Sequence, residues 1–268
     1  MKRILIIGSG TTGQALNHSA WLQKHESCFV SRQSQNPNAR LDITDAQALK
    51  NFFQKNGRFD VVINTAALTN VDACEKSPIE ARAVNALAVK TLGECCNQWN
   101  MALLHISTDY VLNQISREKS SAQRTAQSAP PANNVRPLIE STPYSPCSIY
   151  AMTKTEGEYY ALRIPKFSAV VRTTWIFGGE RNDFVNTIKK SLLDSASNLH
   201  IVADQKAAPI YSKDLAEHLE AVTQYLLEAM ESKNEGRSIF HITNEGMTTR
   251  FEMVQEMSRI CRICNHIF

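Results

Sequence analysis

Nowhere does the 268-residue chain carry an apolar run approaching the roughly 20 residues of a membrane-spanning helix, so no membrane association is expected. Its first ten residues, MKRILIIGSG, hold two basic residues, but only ILII follows before glycine, too little for a signal peptide. An excess of one charge is lacking too. The net charge of +3 is too weak to imply binding to nucleic acid or to a membrane surface. Seven cysteines are odd in number and scattered, and Cys261 and Cys264 form a lone CxxC without the second pair a zinc site needs. Reduced thiols in a cytoplasmic protein are the expectation. No His, Cys, Asp or Glu cluster has ligand spacing, so no metal is expected. What remains is ordinary: 43% hydrophobic and 21% charged residues suit a soluble globular protein of one large α/β domain, or one domain with a small lobe.

Apolar runs alternate with amphipathic stretches, which is the pattern of a parallel sheet with helices on both faces. Strands are expected at 3–7, 27–31, 60–64, 102–107 and 168–172, with a further short one before LDITD (41–45). Helices are expected over TTGQALNHSAWLQK (11–24), DAQALKNFFQK (45–55), about Pro78 to Trp99, and the stretch opened by SIYAMTK (148–154). Beyond 175 the order loosens. A helix NDFVNTIKKSLLD, a short strand LHIVA, a long helix over 212–232, a strand SIFHI and a last helix TTRFEMVQEMSRIC suggest a smaller lobe, 176–268, added to a domain of 1–175. Residues 113–137 are polar and rich in Ser, Ala, Gln and Pro, and are expected to form a flexible excursion.

Six segments carry candidate chemistry. GSGTTGQ follows the first strand with GxGxxG spacing at Gly8, Gly10 and Gly13, which suits a dinucleotide pyrophosphate or, more blandly, close helix–strand packing. The second strand ends in Ser31-Arg32 without a nearby acid; a guanidinium there suits the 2′-phosphate of NADPH better than the ribose of NADH, unless Arg32 is a plain surface charge. Asp42 faces an adenine or caps the next helix. Thr65, Ala66 and Ala67 are small residues at a strand end, leaving room either for a cofactor or for a helix. Ser107, Thr108 and Asp109 of STDYV stand where ligands gather in open sheets, or make a turn. Tyr150 and Lys154, four apart, share one helix face; a lysine stem covering a tyrosine would look the same.

GSGTTGQAL, LDITD, VINTAALTNVDACE, AVNALAV, HISTDYV, Tyr150-x-x-x-Lys154 and VVRTTWIFG occur in the order found in extended short-chain dehydrogenases. Together with VADQKAAP and FHITNEGMTTRFEM they make the chain resemble the dTDP-4-dehydrorhamnose reductase family over nearly its whole length, 113–137 excepted. The resemblance implies a Rossmann-type doubly wound parallel sheet with a smaller C-terminal substrate lobe, NADPH as cofactor with NADH as the alternative, and a nucleotide-sugar substrate. It implies that Thr108, Tyr150 and Lys154 are catalytic. To the cofactor it assigns Gly8, Gly10, Thr11, Thr12, Gly13, Gln14, Ser31, Arg32, Asp42, Ile43, Thr65, Ala66, Ala67, Asn85, Tyr150 and Lys154. To the substrate it assigns Thr69, Val71, Asp109 and Trp175. A homodimer or a regulatory partner belongs to the same expectation. The sequence stops after CRICNHIF, where family members continue, so the lobe is expected to lack its last elements. Two other readings stay open: a non-catalytic regulatory subunit like that of methionine adenosyltransferase, which resembles the same family, and a reductase or epimerase of another nucleotide sugar.

Overall fold

A computed structural model describes residues 1–112, 138–179, 183–193 and 199–261. The excursion expected at 113–137, Cys264 and the end of the chain lie outside the described residues.

The strands are Arg3–Ile7 (β1), Glu26–Val30 (β2), Val61–Asn64 (β3), Ala102–Thr108 (β4), Phe167–Thr173 (β5), the two-residue Ile176–Phe177 (β6), Lys206–Ala207 (β7) and Ile210–Tyr211 (β8), then Gly236–His241 (β9) and Thr248–Thr249 (β10). The helices are Thr11–Asn17 (α1), Ala46–Asn56 (α2), Val71–Lys76 (α3), Pro78–Arg82 (α4), Ala88–Gln98 (α5), Ile149–Arg163 (α6), Phe184–Leu193 (α7), Ser212–Ser232 (α8) and Arg250–Cys261 (α9). Six strands form one sheet in the order β2-β1-β3-β4-β5-β9, every neighbouring pair parallel.

Side-chain alternation in β1 shows why the sheet is covered on both sides. Ile4 and Ile6 pack with Leu16, Trp21 and the apolar stripe Leu215, Leu219, Val222 and Leu226 of α8. Leu5 and Ile7 pack on the opposite face with Leu49 and Phe53 of α2 and Leu92 and Cys96 of α5. A strand buried on both faces belongs to the interior of a parallel sheet. The chain leaves β1 for β2 on one side and crosses back to β3 on the other. The turns after β1 and β3 therefore diverge at the carboxyl edge and open the crevice where ligands of such sheets lie.

The structure revises several element assignments. The first helix stops at Asn17, because the Ser19 hydroxyl donates to the Leu16 carbonyl at 2.7 Å and Trp21 turns its indole N–H to the Ala216 carbonyl at 2.8 Å. The segment before LDITD is a turn, Pro37–Ala39, with one bridge between Ser31 and Arg40, rather than a strand. The helix over 78–98 contains a π-helical turn, Ala83–Leu87. Ile201–Ala203 of LHIVA is not a strand, and β7 follows it instead, paired antiparallel with β10, so that α9 starts at Arg250. The short α3, β6 and β8 have no counterpart in the sequence reading. α8 and β9 belong to the main sheet and its covering layer, whereas α7 and α9 meet in a separate apolar cluster of Ile188, Leu192 and Val254.

Candidate functional site

The three glycines after β1 differ in what surrounds them. Gly8 has φ 112°, and a Cβ there would lie 2.6 Å from Thr65 Oγ1. A Cβ on Gly13 would run into the Gly8 carbonyl oxygen. Gly10 stands at the start of α1 with no side-chain cap, and a Cβ there would meet nothing within 4 Å. Two glycines thus serve close packing, and the middle one faces open space. Beside the glycine turn lies a groove lined by Gly8, Ser9, Gln14, Phe29, Ser31 and Ser34. Gln14 Oε1 is buried beside it with no hydrogen-bond partner among the described residues, the mark of a polar group that a bound molecule would satisfy. Thr12 is buried and Thr11 half-buried. A Cβ on Gly179 would touch the Thr11 side chain at 2.8 Å, so the segment after β6 reaches back to the glycine turn.

Beyond β2, Arg32 is exposed and makes no ion pair among the described residues, while Ser31 is held to the Ala39 carbonyl at 3.0 Å. Asp42 does not cap α2. Asp45 does, accepting from the N–H of Gln47 at 3.0 Å and of Ala48 at 2.9 Å. Asp42 instead accepts from the N–H and the hydroxyl of Thr44, at 3.0 and 2.7 Å. Burial pushes its carboxyl up, but these bonds and the nearby Arg32 charge more than offset that and leave it below the usual range. The Ile43 side chain lies in the core, 6% exposed.

After β3, the Thr65 hydroxyl donates to the Ile7 carbonyl at 2.9 Å, while Ala66 and Ala67 remain partly open. Asn85, buried in the π-helical turn, holds the next residue on both sides: its Oδ1 accepts from Leu68 N–H at 2.8 Å and its Nδ2 donates to the Leu68 carbonyl at 3.0 Å. Thr69 is exposed, and Val71 packs with Tyr110 and Ile149 around Tyr150.

The proline-flanked loop before α6 ends at Ser148, whose hydroxyl accepts from Ala151 N–H at 3.1 Å and starts the helix. The i, i+4 spacing then buries both Tyr150 (9% exposed) and Lys154 (1%) against the end of β4. Burial pushes the Tyr150 phenol well above its ordinary range, against the pull of the adjacent Thr108 hydroxyl. In this arrangement Lys154 Nζ is turned to the Ile106 carbonyl at 2.7 Å and to His105 Nε2 at 3.2 Å. Burial lowers the Lys154 ammonium to about 8, with Glu158 working the other way. Thr108 donates to Asp109 Oδ1 at 3.1 Å, and burial raises the Asp109 carboxyl despite that bond.

Trp175 follows β5 and lies under the Arg250 guanidinium, 4.5 Å from its ring centroid. Its Nε1, together with Ser107 Oγ and Thr173 Oγ1, is buried and unpartnered among the described residues, so unsatisfied polar atoms gather at the carboxyl ends of β4 and β5. Sequence reasoning missed Tyr110, which packs edge-on against Tyr150 at 5.9 Å. It also missed Asn64 and His105, and the buried Glu158–Arg172 pair at 2.8 Å next to Lys154. Asn64 and His105 sit within the strand runs VVIN and ALLHIS. A polar residue in each of two buried strands was the available signal.

A doubly wound parallel sheet, a glycine turn opening onto the switch point and a Tyr–Lys pair on the helix beside it define a Rossmann-type member of the short-chain dehydrogenase/reductase class. The sequence profile described as RmlD substrate binding domain matches residues 1–266, and the chain belongs to that family. It is 32% identical to a dTDP-4-dehydrorhamnose reductase of Mycolicibacterium smegmatis over 95% of this chain and 68% of the relative, and 31% identical to one of Mycobacterium tuberculosis over 97% and 76%. Among solved structures, a dTDP-4-dehydrorhamnose reductase of Clostridium acetobutylicum superposes with a TM-score of 0.79 at 28% identity, covering 99% of this chain and 82% of that one. A UDP-glucose 4-epimerase of Thermus thermophilus shares the fold alone, with a TM-score of 0.75 at 16% identity over 99% and 85% of the two chains. Among the described residues no helix is long and apolar enough to cross a membrane, and no cluster of metal-ligand residues occurs.

Proposed function

We propose that the protein is an NADPH-dependent reductase of the 4-keto group of dTDP-4-dehydrorhamnose, yielding dTDP-L-rhamnose in the cytoplasm. The observation that carries this is the meeting of Thr108, Tyr150 and Lys154 at the end of β4, beside the switch-point crevice. The residues fit the cofactor: Gly10 leaves space for a pyrophosphate, Gln14 Oε1, unpartnered among the described residues, lines the groove, and the exposed Arg32, with no ion pair among the described residues, is available to a 2′-phosphate. When bound, NADPH supplies the hydride. Tyr150 is the proton donor, kept in its neutral phenol form by burial, and its proton passes to the carbonyl oxygen as the carbon is reduced. Thr108 orients that oxygen, and Lys154 in its ammonium form, held below about pH 8, contributes charge close to the reacting atoms. Asp109 and Trp175 hold the sugar, with Thr69 and Val71 at the rim. The relatives' shared name supports the substrate class, and another, a probable dTDP-4,6-dihydroxy-2-methyloxan-3-one 4-ketoreductase of Streptomyces antibioticus, is 30% identical over 82% of this chain. We take residues 1–175, with α8 and β9 completing their sheet, as mainly cofactor-binding, and the rest of 176–268 as contributing mainly to the substrate side.

The test is NADPH oxidation by purified protein with dTDP-4-dehydrorhamnose, beside other dTDP- and UDP-linked keto sugars. Turnover greatest with the first supports the proposal. NADPH binding without oxidation of any sugar would instead favour the regulatory-subunit reading.

A further inference from the structure

His105 is completely buried, and no step above uses it. It pairs in register with Asn64 on the neighbouring strand, and Asn64 Nδ2 approaches its Nδ1 at 3.1 Å. The orientation of that amide is fixed from the other side, because Asn64 Oδ1 accepts from the Ala66 N–H at 3.1 Å. An amide nitrogen can only donate, so His105 Nδ1 must be the accepting nitrogen, and in the neutral ring the proton then sits on Nε2. Nε2 faces Lys154 Nζ at 3.2 Å, while Nζ donates to the Ile106 carbonyl at 2.7 Å.

Every donor in this row has an acceptor only when Lys154 is an uncharged amine: Ala66 N–H to Asn64, Asn64 to His105, His105 to Lys154, Lys154 to Ile106. An ammonium would set one N–H against another. Relieving that conflict requires the imidazole to move its proton to Nδ1 and the Asn64 amide to turn over, which costs the Ala66 bond. The helix can come this close only because position 157 is glycine. A Cβ there would collide with the Asn85 carbonyl oxygen and lie 3.6 Å from His105 Nε2.

We propose that His105 is a positioning residue which, locked by Asn64 with its proton on Nε2, presents a donor to Lys154 and thereby loosens that side chain's hold on its own proton. The consequence for cofactor binding and turnover rests on the reductase reading above, whereas the tautomer does not. Other charged or titratable groups around the site are accounted for. On α6 itself stand Tyr150, a buried phenol, and Glu158, which is committed to Arg172 of β5. Asp109 in the turn after β4 bonds Thr108, Cys74 of α3 contacts the Leu68 carbonyl, Glu75 takes Ile149 N–H, and Arg82 of α4 pairs with Glu156. None of them dictates which imidazole nitrogen is protonated.

The direct test is nitrogen NMR of the ligand-free protein labelled with 15N at histidine, the His105 signals being those missing in His105→Gln. A protonated Nε2 and a bare Nδ1 are expected; the reverse would overturn the proposal whatever the enzyme assays give. The second test follows NADPH affinity with pH. The alkaline loss of affinity should move up by about one pH unit in His105→Gln, whose carbonyl can accept from the ammonium. It should also move up in Asn64→Asp, whose carboxylate would draw the imidazole proton to Nδ1. In the double variant the Asn64→Asp increment should shrink, because no imidazole remains to be turned round. An undiminished increment would mean a bare charge effect and would sink the role of His105. If NADPH fails to bind at all, the reductase reading falls, and the NMR result decides this proposal on its own.

Discussion

Tyr150 combines two properties that its sequence spacing alone could not separate. Its ring is packed by Tyr110 and Val71, and its hydroxyl stands beside Thr108. Tyr150→Phe keeps that packing and removes only the proton donor, so turnover should fall by about 10² to 10⁴ with NADPH affinity nearly unchanged. Stopped or steady-state assays beside a calorimetric titration decide it; full turnover in the variant would remove Tyr150 from the mechanism. Arg32 is a separate case, an exposed charge with no ion pair among the described residues. Arg32→Ala should weaken NADPH by about 1.5–3 kcal/mol, the usual worth of a hydrogen bond to a charged group, and leave NADH almost unaffected. Equal losses for both cofactors would show Arg32 to be an ordinary surface residue. Thr108, Tyr150 and Lys154 were singled out through the motifs that carry the family resemblance, since their spacing alone left a packing explanation open, and the structure sets them together at the end of β4. His105 and Asn64 were not legible, because their partnership exists only across two strands whose register the sequence does not state.

The turn between β1 and α1 makes the same point one level up. GxGxxG spacing marks the place, but only the packing tells the glycines apart. Gly13→Ala would force a Cβ onto the Gly8 carbonyl, so it should destabilise the fold by about 1–3 kcal/mol as an overpacked contact does. Gly10→Val meets nothing within 4 Å at its Cβ, and Gly10 has an unstrained φ of −72°. It should leave thermal stability within about 0.5 kcal/mol of the parent and abolish binding of both cofactors. A Gly10→Val protein that still bound NADPH would mean that the pyrophosphate lies elsewhere. Long elements with clear periodicity, such as β1, α2 and α8, were legible nearly to the residue. β6, β7, β8 and β10 were not, since two-residue strands carry no periodicity and are defined only by their partners. The shortened α1 escaped because a Ser19 side chain competing for a helix carbonyl is a local event inside an otherwise helical pattern.

At the scale of the whole molecule, the alternation of strand and helix was enough to give the parallel sheet, its two covered faces and the crevice at its carboxyl edge. It could not give the price of burying charge there. The folded protein holds a neutral His105 and a weakened Lys154 inside, along with thiols that resist ionisation, and each links stability to pH with its own sign. His105 lies well below its ordinary 6.5, because burial and the Lys154 charge oppose a second charge. As pH falls below about 6.5 the unfolded chain therefore takes up a proton that the folded one refuses, and stability is lost. Lys154 is lowered from 10.5 to about 8. Between those values the unfolded chain keeps a proton that the folded chain has released, so stability rises with pH there. Buried thiols pull the other way: Cys95 is raised from 9.0 to about 11 and Cys96 further, mainly by burial. Above about pH 9 the unfolded chain ionises them and the folded chain does not, so stability falls. Thermal unfolding should thus improve from about pH 6 to about 9 and decline beyond, with the climb above pH 8 owed to Lys154. Lys154→Met should remove that last climb and keep both outer losses, and its NADPH affinity and turnover should fall together. A Met variant whose midpoint still rose between pH 8 and 9 would show that the buried ammonium is not what the folded protein is paying to hold.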